Sequence, residues 1–433
     1  MADLDSRQDP SEEYGRHRGE ELMLENASLF DKMKNLSYVT FMLIGIALLW
    51  PWNCFLSASL YFQHDVFHDD TIYAKIYIST MMSISTISSV AFNFWLSKRQ
   101  HSYAERVVRG LVWEVLVFGL LCVFVLVHGA FPEWLNFVFL MGMVLVSSCG
   151  TAMTQNGAMA LANVFGPQFS QSVMMGQGIA GVLPSLVLFA VSFIGDPRDQ
   201  SVGGIFAYFC TTVVVSASCI VLYRASGIGR ADKHKLLGGE TNNNEADDTV
   251  SFSILYQKLK FLVLSIFTTF VVTLLFPVFA ANTFVAGLPM HNSQYIPFIF
   301  TVWNLGDLYG RAISGYPFFQ SAKFTPYKTF LYSISRIGLV PLFFCFNLND
   351  SMKPSTSVLS DFGYIILQFV FGLTNGNVLS VCFMKVSPQL GSDKERRAAG
   401  GFTNIFLSSG LAFGSLLSYV FVYIVSTYRA GGA

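Results

Sequence analysis

The sequence predicts an all-α polytopic membrane protein with eleven transmembrane helices in a 6+5 two-bundle arrangement. Three observations lead there. Of 433 residues, 53% are hydrophobic and only 12% charged, against roughly 25% charged in soluble domains. The charges are also clustered: no Asp, Glu, Lys or Arg occurs in 134–195, 261–306 or 398–427. About 20 apolar residues suffice to cross a bilayer. Finally, a polar segment at 225–258 divides the apolar runs six before and five after. It carries Gly238-Gly239, Asn242-Asn243-Asn244 and mixed charge, the composition of a linker.

Each element follows in order. Residues 1–36 hold 14 charges, so they form a cytosolic tail rather than a signal peptide. Spans at 37–63, 76–97 and 110–130 are apolar runs between charged stretches. The first charge-free gap is long enough for two spans, 134–163 and 170–195, with a turn at Gly166-Pro167. Span 6, 201–223, ends before Arg224 and completes an N-terminal bundle over 37–224. After the linker come 259–286, 295–320, 327–346, 359–384 and 398–428, a five-helix bundle over 259–428. Spans 4 and 11 require Gly, Ser and Thr inside helices, which membrane bundles tolerate. Residues 429–433 are then an extracellular or lumenal C-terminus.

Lys and Arg in the loops set the orientation. With the N-terminus in the cytosol, 21 basic residues fall on the cytosolic side and four (Lys75, Arg198, Lys353, Arg429) on the other.

Composition also excludes classes of function. Equal numbers of basic and acidic residues, 27 each, argue against a nucleic-acid polymer as partner, which needs a basic excess. The seven cysteines lie in apolar stretches and show no disulfide or zinc spacing. His-Glu-x-x-His and Gly-x-Ser-x-Gly are absent. No catalytic residues, metal ligands, cofactor or obligate protein partner are expected.

Polar residues within the spans carry what chemistry there is. In span 8, Asn304, Asp307 and Arg311 fall within roughly 60° on a helix. One face thus presents an amide, a carboxylate and a guanidinium. Intramembrane charges usually face a cavity or a partner. A clamp for substrate hydroxyls and a structural ion pair fit this face equally well. In span 1, Leu49-Trp50-Pro51-Trp52-Asn53 has a helix-breaking proline. Trp52 offers a flat ring for stacking on a base, and Asn53 a group to fix the kink. A packing kink explains the same residues. Gln155 in span 4 has the donor and acceptor needed to read a base edge, or to join helices. Gly176, Gly178 and Gly181 in span 5, and Gly372 and Gly376 in span 10, read first as close-packing positions.

Two bundles joined by a cytosolic linker is the layout of rocker-type transporters. Together these residues resemble the equilibrative nucleoside transporter family. The resemblance runs through Pro51-Trp52-Asn53, Gln155, Gly176-Gln177-Gly178 with Gly181, and Phe276-Pro277. It continues through Asn304, Asp307, Gly310 and Arg311, Arg336 with Pro341, and Asn375-Gly376. The short first outer loop is similar to fungal or intracellular-type members. The resemblance implies a fold related to the major facilitator fold, and passive alternating-access transport of nucleosides such as uridine and adenosine, with nucleobases for some members.

Residue roles follow from the same resemblance. Trp52, Leu49 and Leu56 would line the base, and Gln155 would hydrogen-bond it. Asp307 and Arg311 would hold the ribose, with Asn304 supporting Asp307. Asn53, Gly176, Gly181, Phe276, Arg336 and Asn375 would gate or pack. Leu56 stands where some animal members have methionine, and Asn156 where glycine commonly follows the glutamine.

A carboxylate paired with a guanidinium is a poor proton carrier, so uncoupled transport is the first expectation. Proton coupling, or a facilitator-type carrier of another polar solute, is the alternative. A receptor or a membrane enzyme fits less well. The membrane is vacuolar, lysosomal-type or plasma membrane. Glu20-Glu21-Leu22-Met23-Leu24 weakly resembles a sorting signal, and Asn349-Asp350-Ser351 is a glycosylation sequon.

Overall fold

The computed structural model describes residues 32, 34–69, 71–193, 201–232, 249–348 and 358–428. The expected tail up to residue 31, the Glu20–Leu24 motif, the 349–351 sequon and the C-terminal five residues lie outside them. Among the described residues the structure is helical, with one isolated β-bridge, Thr283 to Leu348.

Eleven principal helical segments follow in chain order. In the first half they are α1 (Leu36–Ser57), α2 (Ile72–Lys98), α3 (Tyr103–Val127), α4 (Glu133–Phe165), α5 (Pro167–Val191) and α6 (Val202–Ala225). The second half holds α7 (Phe252–Thr273), α8 (Asn292–Ile313), α9 (Pro326–Ser335), α10 (Val358–Val386) and α11 (Asp393–Tyr428). Side-chain oxygens of Asn35, Thr71, Ser201, Ser251 and Thr325 accept backbone N–H bonds at the starts of α1, α2, α6, α7 and α9. Such caps satisfy donors that the first helical turn leaves orphaned.

Eight of the eleven are long and apolar enough to cross a membrane. The three that fall short have visible reasons. The 27-residue α2 carries eight Ser or Thr. Asn304, Asp307 and Arg311 interrupt α8. Only ten residues of α9 are α-helical, but it continues as a ten-residue 3₁₀ helix, Arg336–Cys345. At about 1.5 and 2.0 Å per residue, the two parts of α9 extend roughly 35 Å, enough for a bilayer core of about 30 Å.

Helix ends depart from the apolar runs. Expected at 110, α3 begins at Tyr103, and α11 begins at Asp393 rather than 398. Both helices extend into charged turns. Two of the expected loop cations, Arg106 and Arg397, are therefore buried helical residues. The expected linker is also packed at its start: Ile228, Ala231 and Asp232 are buried. Its last residues belong to α7, which starts at Phe252. Phe276-Pro277 falls where α7 breaks and resumes as a short helix, Phe276–Asn282.

Glycines set the closest crossings. On α8, Gly306 and Gly310 face the carbonyls of Phe369 and Leu373. On α10, Gly372 and Gly376 face those of Trp303 and Asp307. A Cβ at Gly310 would lie 2.0 Å from the Leu373 oxygen. Gly45 of α1 and Gly176 of α5 meet in the same way.

The paired α8–α10 glycines should tolerate no side chain. Gly310→Ala is expected to lower the unfolding temperature in detergent by several degrees. Gly119→Ala is the control, since its Cβ meets nothing within 4 Å and removing a helix-interior glycine gains about 0.5–1 kcal/mol. Equal effects of the two would reject close approach as the reason for these glycines.

Candidate functional site

The centre of the second bundle is a connected polar network on α8. Arg311 Nε donates to Asp307 Oδ2 at 2.7 Å, four residues back on the helix. Asn375 Nδ2 of α10 donates to the other carboxylate oxygen at 2.6 Å. The Thr273 hydroxyl of α7 donates to Asn375 Oδ1. The glycine crossing brings α10 within reach, since Gly376 lies against the Asp307 carbonyl. Asp307 and Arg311 are both buried, at 4% and 6% exposure. An ionised pair there is tolerable because both members are hydrogen-bonded.

Arg311 also reaches across to the first bundle. Its Nη1 donates to the Met174 carbonyl at 2.9 Å and to Gln177 Oε1 at 3.4 Å, both on α5. Gln171 of α5 returns the contact, donating to the Arg311 and Ala312 carbonyls. Gly178 and Gly181 let α8 approach: a Cβ on Gly181 would lie 2.6 Å from Asn304 Oδ1.

Asn304 does not support Asp307. Its amide donates to the Phe300 carbonyl at 2.8 Å, and the supporting amide is that of Asn375. A helical projection puts Asn304 on the right face but cannot show which neighbouring helix supplies the closer partner. Asn53 does not fix a kink in its own helix either; it donates to the Ala180 carbonyl of α5 at 2.8 Å. Thus Asn53, Gly181 and Asn304 come together along α1, α5 and α8. Leu49 and Trp52 are half-buried, and Leu56 is 39% exposed. Phe276 stacks on Trp303 at 4.4 Å between ring centroids. Arg336 is fully enclosed, donating to Thr374 Oγ1 and to the Thr269 and Phe371 carbonyls.

A second set of contacts, to the first bundle and to the segment that follows it, runs along α11. Arg397 pairs with Asp232 at 2.6 Å, and both are buried. The Asn404 Oδ1 accepts from Gln155 Nε2 of α4 at 3.3 Å. Ser408 Oγ accepts from Asn93 Nδ2 of α2 at 2.8 Å. Asn163 Nδ2 donates to the Arg396 carbonyl. Arg106 holds the end of α2 through the Leu96 and Arg99 carbonyls and donates to Asn156. Asn156, where the family commonly has glycine, therefore serves an arginine.

Sequence reasoning passed over several of these residues. Glu114 of α3 is 1% exposed and accepts from Ser147 and Thr151 of α4 at 2.8 and 2.9 Å. A lone carboxylate in an apolar span was the available signal. Asn404, Gln171 and Asn93 gave none, being ordinary polar residues in helices rich in small ones. An apolar cavity of about 300 Å³ near Phe267, Val271, Ile337 and Phe421 contains none of the expected site residues.

Comparison with known proteins settles the family. A family model described as "Nucleoside transporter" matches residues 141–235 and 226–423. The chain belongs to the equilibrative nucleoside transporter family. It is 51% identical over 449 residues to Nucleoside transporter FUN26 of Saccharomyces cerevisiae, covering 93% of this chain and 87% of that protein. Equilibrative nucleoside transporter 1 of Homo sapiens is 22% identical over 448 residues, covering 90% and 97%. The fungal side of the resemblance is thus the nearer of these two. This integral membrane protein is a transporter and not an enzyme.

Two solved structures share its fold. One is a bacterial homologue of the iron transporter ferroportin in an outward-facing state, with a TM-score of 0.56 at 13% identity over 91% of this chain and 96% of that one. The other is the Major Facilitator Superfamily transporter FucP in the outward conformation, with a TM-score of 0.51 at 14% identity over 91% and 99%. The two-bundle fold related to the major facilitator fold follows.

Removing one member of a buried pair leaves an uncompensated charge, at a cost of about 3–5 kcal/mol. Asp307→Ala is expected to lower thermal stability in detergent well below that of Asp307→Asn, which retains one acceptor for Arg311. Indistinguishable melting of the two variants would show that the carboxylate does not organise this network.

Proposed function

We propose that the chain carries uridine, adenosine and related nucleosides passively across a vacuolar, lysosomal-type or plasma membrane, with its N-terminus in the cytosol. The bodies that rock are α1–α6 and α7–α11, the expected 37–224 and 259–428 with the second now begun at Phe252. The observation that carries this reading is the division of polar groups at the interface between bundles. The charged pair Asp307–Arg311 is hydrogen-bonded on both members, while the expected site groups that keep some exposure are an indole and three amides, Trp52, Asn53, Gln155 and Asn304. Those suit a neutral solute with an aromatic base.

In this reading Trp52 stacks on the base between Leu49 and Leu56, and Gln155 bonds its edge. The ribose hydroxyls meet Asp307 and Arg311. Because both are buried here, α5 and α8 must part before substrate reaches them. Hydroxyls then replace the Met174 carbonyl and Gln177 as partners of Arg311. Rocking exposes the site to alternate sides, and an uncoupled carrier only equilibrates the solute.

Proteoliposome uptake tests this. Saturable uptake of uridine and adenosine should stop at equilibrium and ignore an imposed pH gradient. Base stacking is worth about 1–3 kcal/mol, so Trp52→Ala should raise the nucleoside KM on the order of tenfold while leaving inhibition by free ribose unchanged. An equal loss for ribose would reject the stacking role. Asp307→Asn should impair uptake by protein that still inserts and folds.

One observation favours proton coupling as a second reading. Glu114 is an enclosed carboxylate whose two side-chain partners are hydroxyls, not cations. Accumulation driven by a pH gradient in the parent protein, lost in Glu114→Gln with downhill uptake retained, would replace the uncoupled mechanism.

A further inference from the structure

We propose that Asn404 of α11 is a second base-recognising amide, supplied by the opposite bundle, which sets with Gln155 the pattern of base acceptors the carrier takes. The inference deepens the reading of Gln155 given above and rests on it.

Positions 397, 401, 404 and 408 of α11 fall within roughly 60° of one another around the helix. Three of them meet the first bundle, and Arg397 meets the segment that follows α6. Arg397 is paired with Asp232. Gly401 fits closely, since a Cβ there would lie 2.7 Å from Asn156 Nδ2 and 2.8 Å from Ser97 Oγ. Ser408 accepts a bond of 2.8 Å from Asn93. Asn404 differs from the serine and the glycine of this row. Its Oδ1 accepts one long bond of 3.3 Å from Gln155, and its Nδ2 has no partner although the residue is only 1% exposed.

A buried amide donor left unmade costs about 1–3 kcal/mol. Helix packing does not require it, because a glycine already serves one turn away at Gly401. The donor points to a ligand that supplies an acceptor. Gln155, its single hydrogen-bond partner among the described residues, is half-buried, so the amide pair borders accessible space. A base entering beside Gln155 offers ring nitrogens or a carbonyl oxygen to both amides. It would replace the weak Gln155–Asn404 bond with two bonds, one to each bundle. Such a ligand interacts differently with open and closed arrangements, which binding must do to shift them.

The test uses full-length protein in proteoliposomes, with adenosine and its 1-deaza, 3-deaza and 7-deaza analogues as competitors of uridine uptake. Each analogue lacks one ring acceptor. The parent protein should bind at least one analogue about tenfold more weakly, the equivalent of about 1.4 kcal/mol. Asn404→Leu should weaken adenosine to the level of one such analogue and no longer distinguish the two, while still distinguishing the others. Should Asn404→Leu fail to fold, Asn404→Ala is read by the same pattern.

A uniform fall for adenosine and every analogue, or a fall in maximal rate with unchanged ranking, would make Asn404 a packing residue and overturn the proposal. So would equal affinity of the parent protein for all four compounds. A changed ranking in Gln155→Leu but not at Asn404 defeats this inference alone. An unchanged ranking in both defeats base recognition by Gln155 as well.

Discussion

Inside an apolar bundle every strongly polar group must find its partner in the protein, because lipid offers none. The carboxylate of Asp307 is where that constraint bears hardest. It sits in mid-helix on α8 and needs partners from two directions. Arg311 supplies one along the same helix. Asn375 supplies the other, but only because α10 comes close enough. The closeness depends on Gly306, Gly310, Gly372 and Gly376, which present backbone to backbone. Thr273 then completes Asn375 from α7. A single charge thus fixes the register of three helices, and the small residues around it are its consequence.

The contacts between bundles are of another kind. Within the second bundle the polar core is an ion pair whose carboxylate accepts from both Arg311 and Asn375. Across the interface the contacts are mostly amide or hydroxyl bonds, several of them to backbone carbonyls: Gln171, Asn163, Gln155 and Asn93 each donate one or more. Such bonds in membranes average about 0.6 kcal/mol each. A handful amounts to a few kcal/mol, the scale that separates two populated states of a protein. The interface holds together without becoming too strong to open. Two charged contacts stand apart: Arg311 donates to α5, and Arg397–Asp232 lies at the end that carries the connections into α5, α7 and α11.

Much of this fold was legible in the spacing of charges. Each apolar run returned as a helix, because crossing lipid and excluding charge are one requirement. The errors came from the same rule applied too widely. Charge alone places Arg106 and Arg397 in loops, yet both are buried, Arg106 on the Leu96 and Arg99 carbonyls and Arg397 against the Asp232 carboxylate. The face carrying Asp307 and Arg311 could be read from helical geometry. The identity of its supporting amide could not, because periodicity along α8 says nothing about which residue of α10 lies opposite. Glu114 carried a signal that went unread, whereas Asn404 carried none: its meaning depends on Gln155, 249 positions away.

The distribution of charge also limits what the interface can recognise. Arg311 is occupied by Asp307, by the Met174 carbonyl and by Gln177. Arg336 is enclosed by neutral acceptors and the ring of Phe371. An anionic substrate would need one of these guanidinium groups released from several bonds at once. A neutral nucleoside makes a smaller demand. In the proposed mode its base would exchange one weak amide–amide bond for two, and its hydroxyls would stand in for a carbonyl and an amide without moving net charge. The ion pair remains the fixed element, and the exchangeable elements around it are uncharged. In the proposed mechanism that separation would let one bundle keep its polar core while the other moves against it.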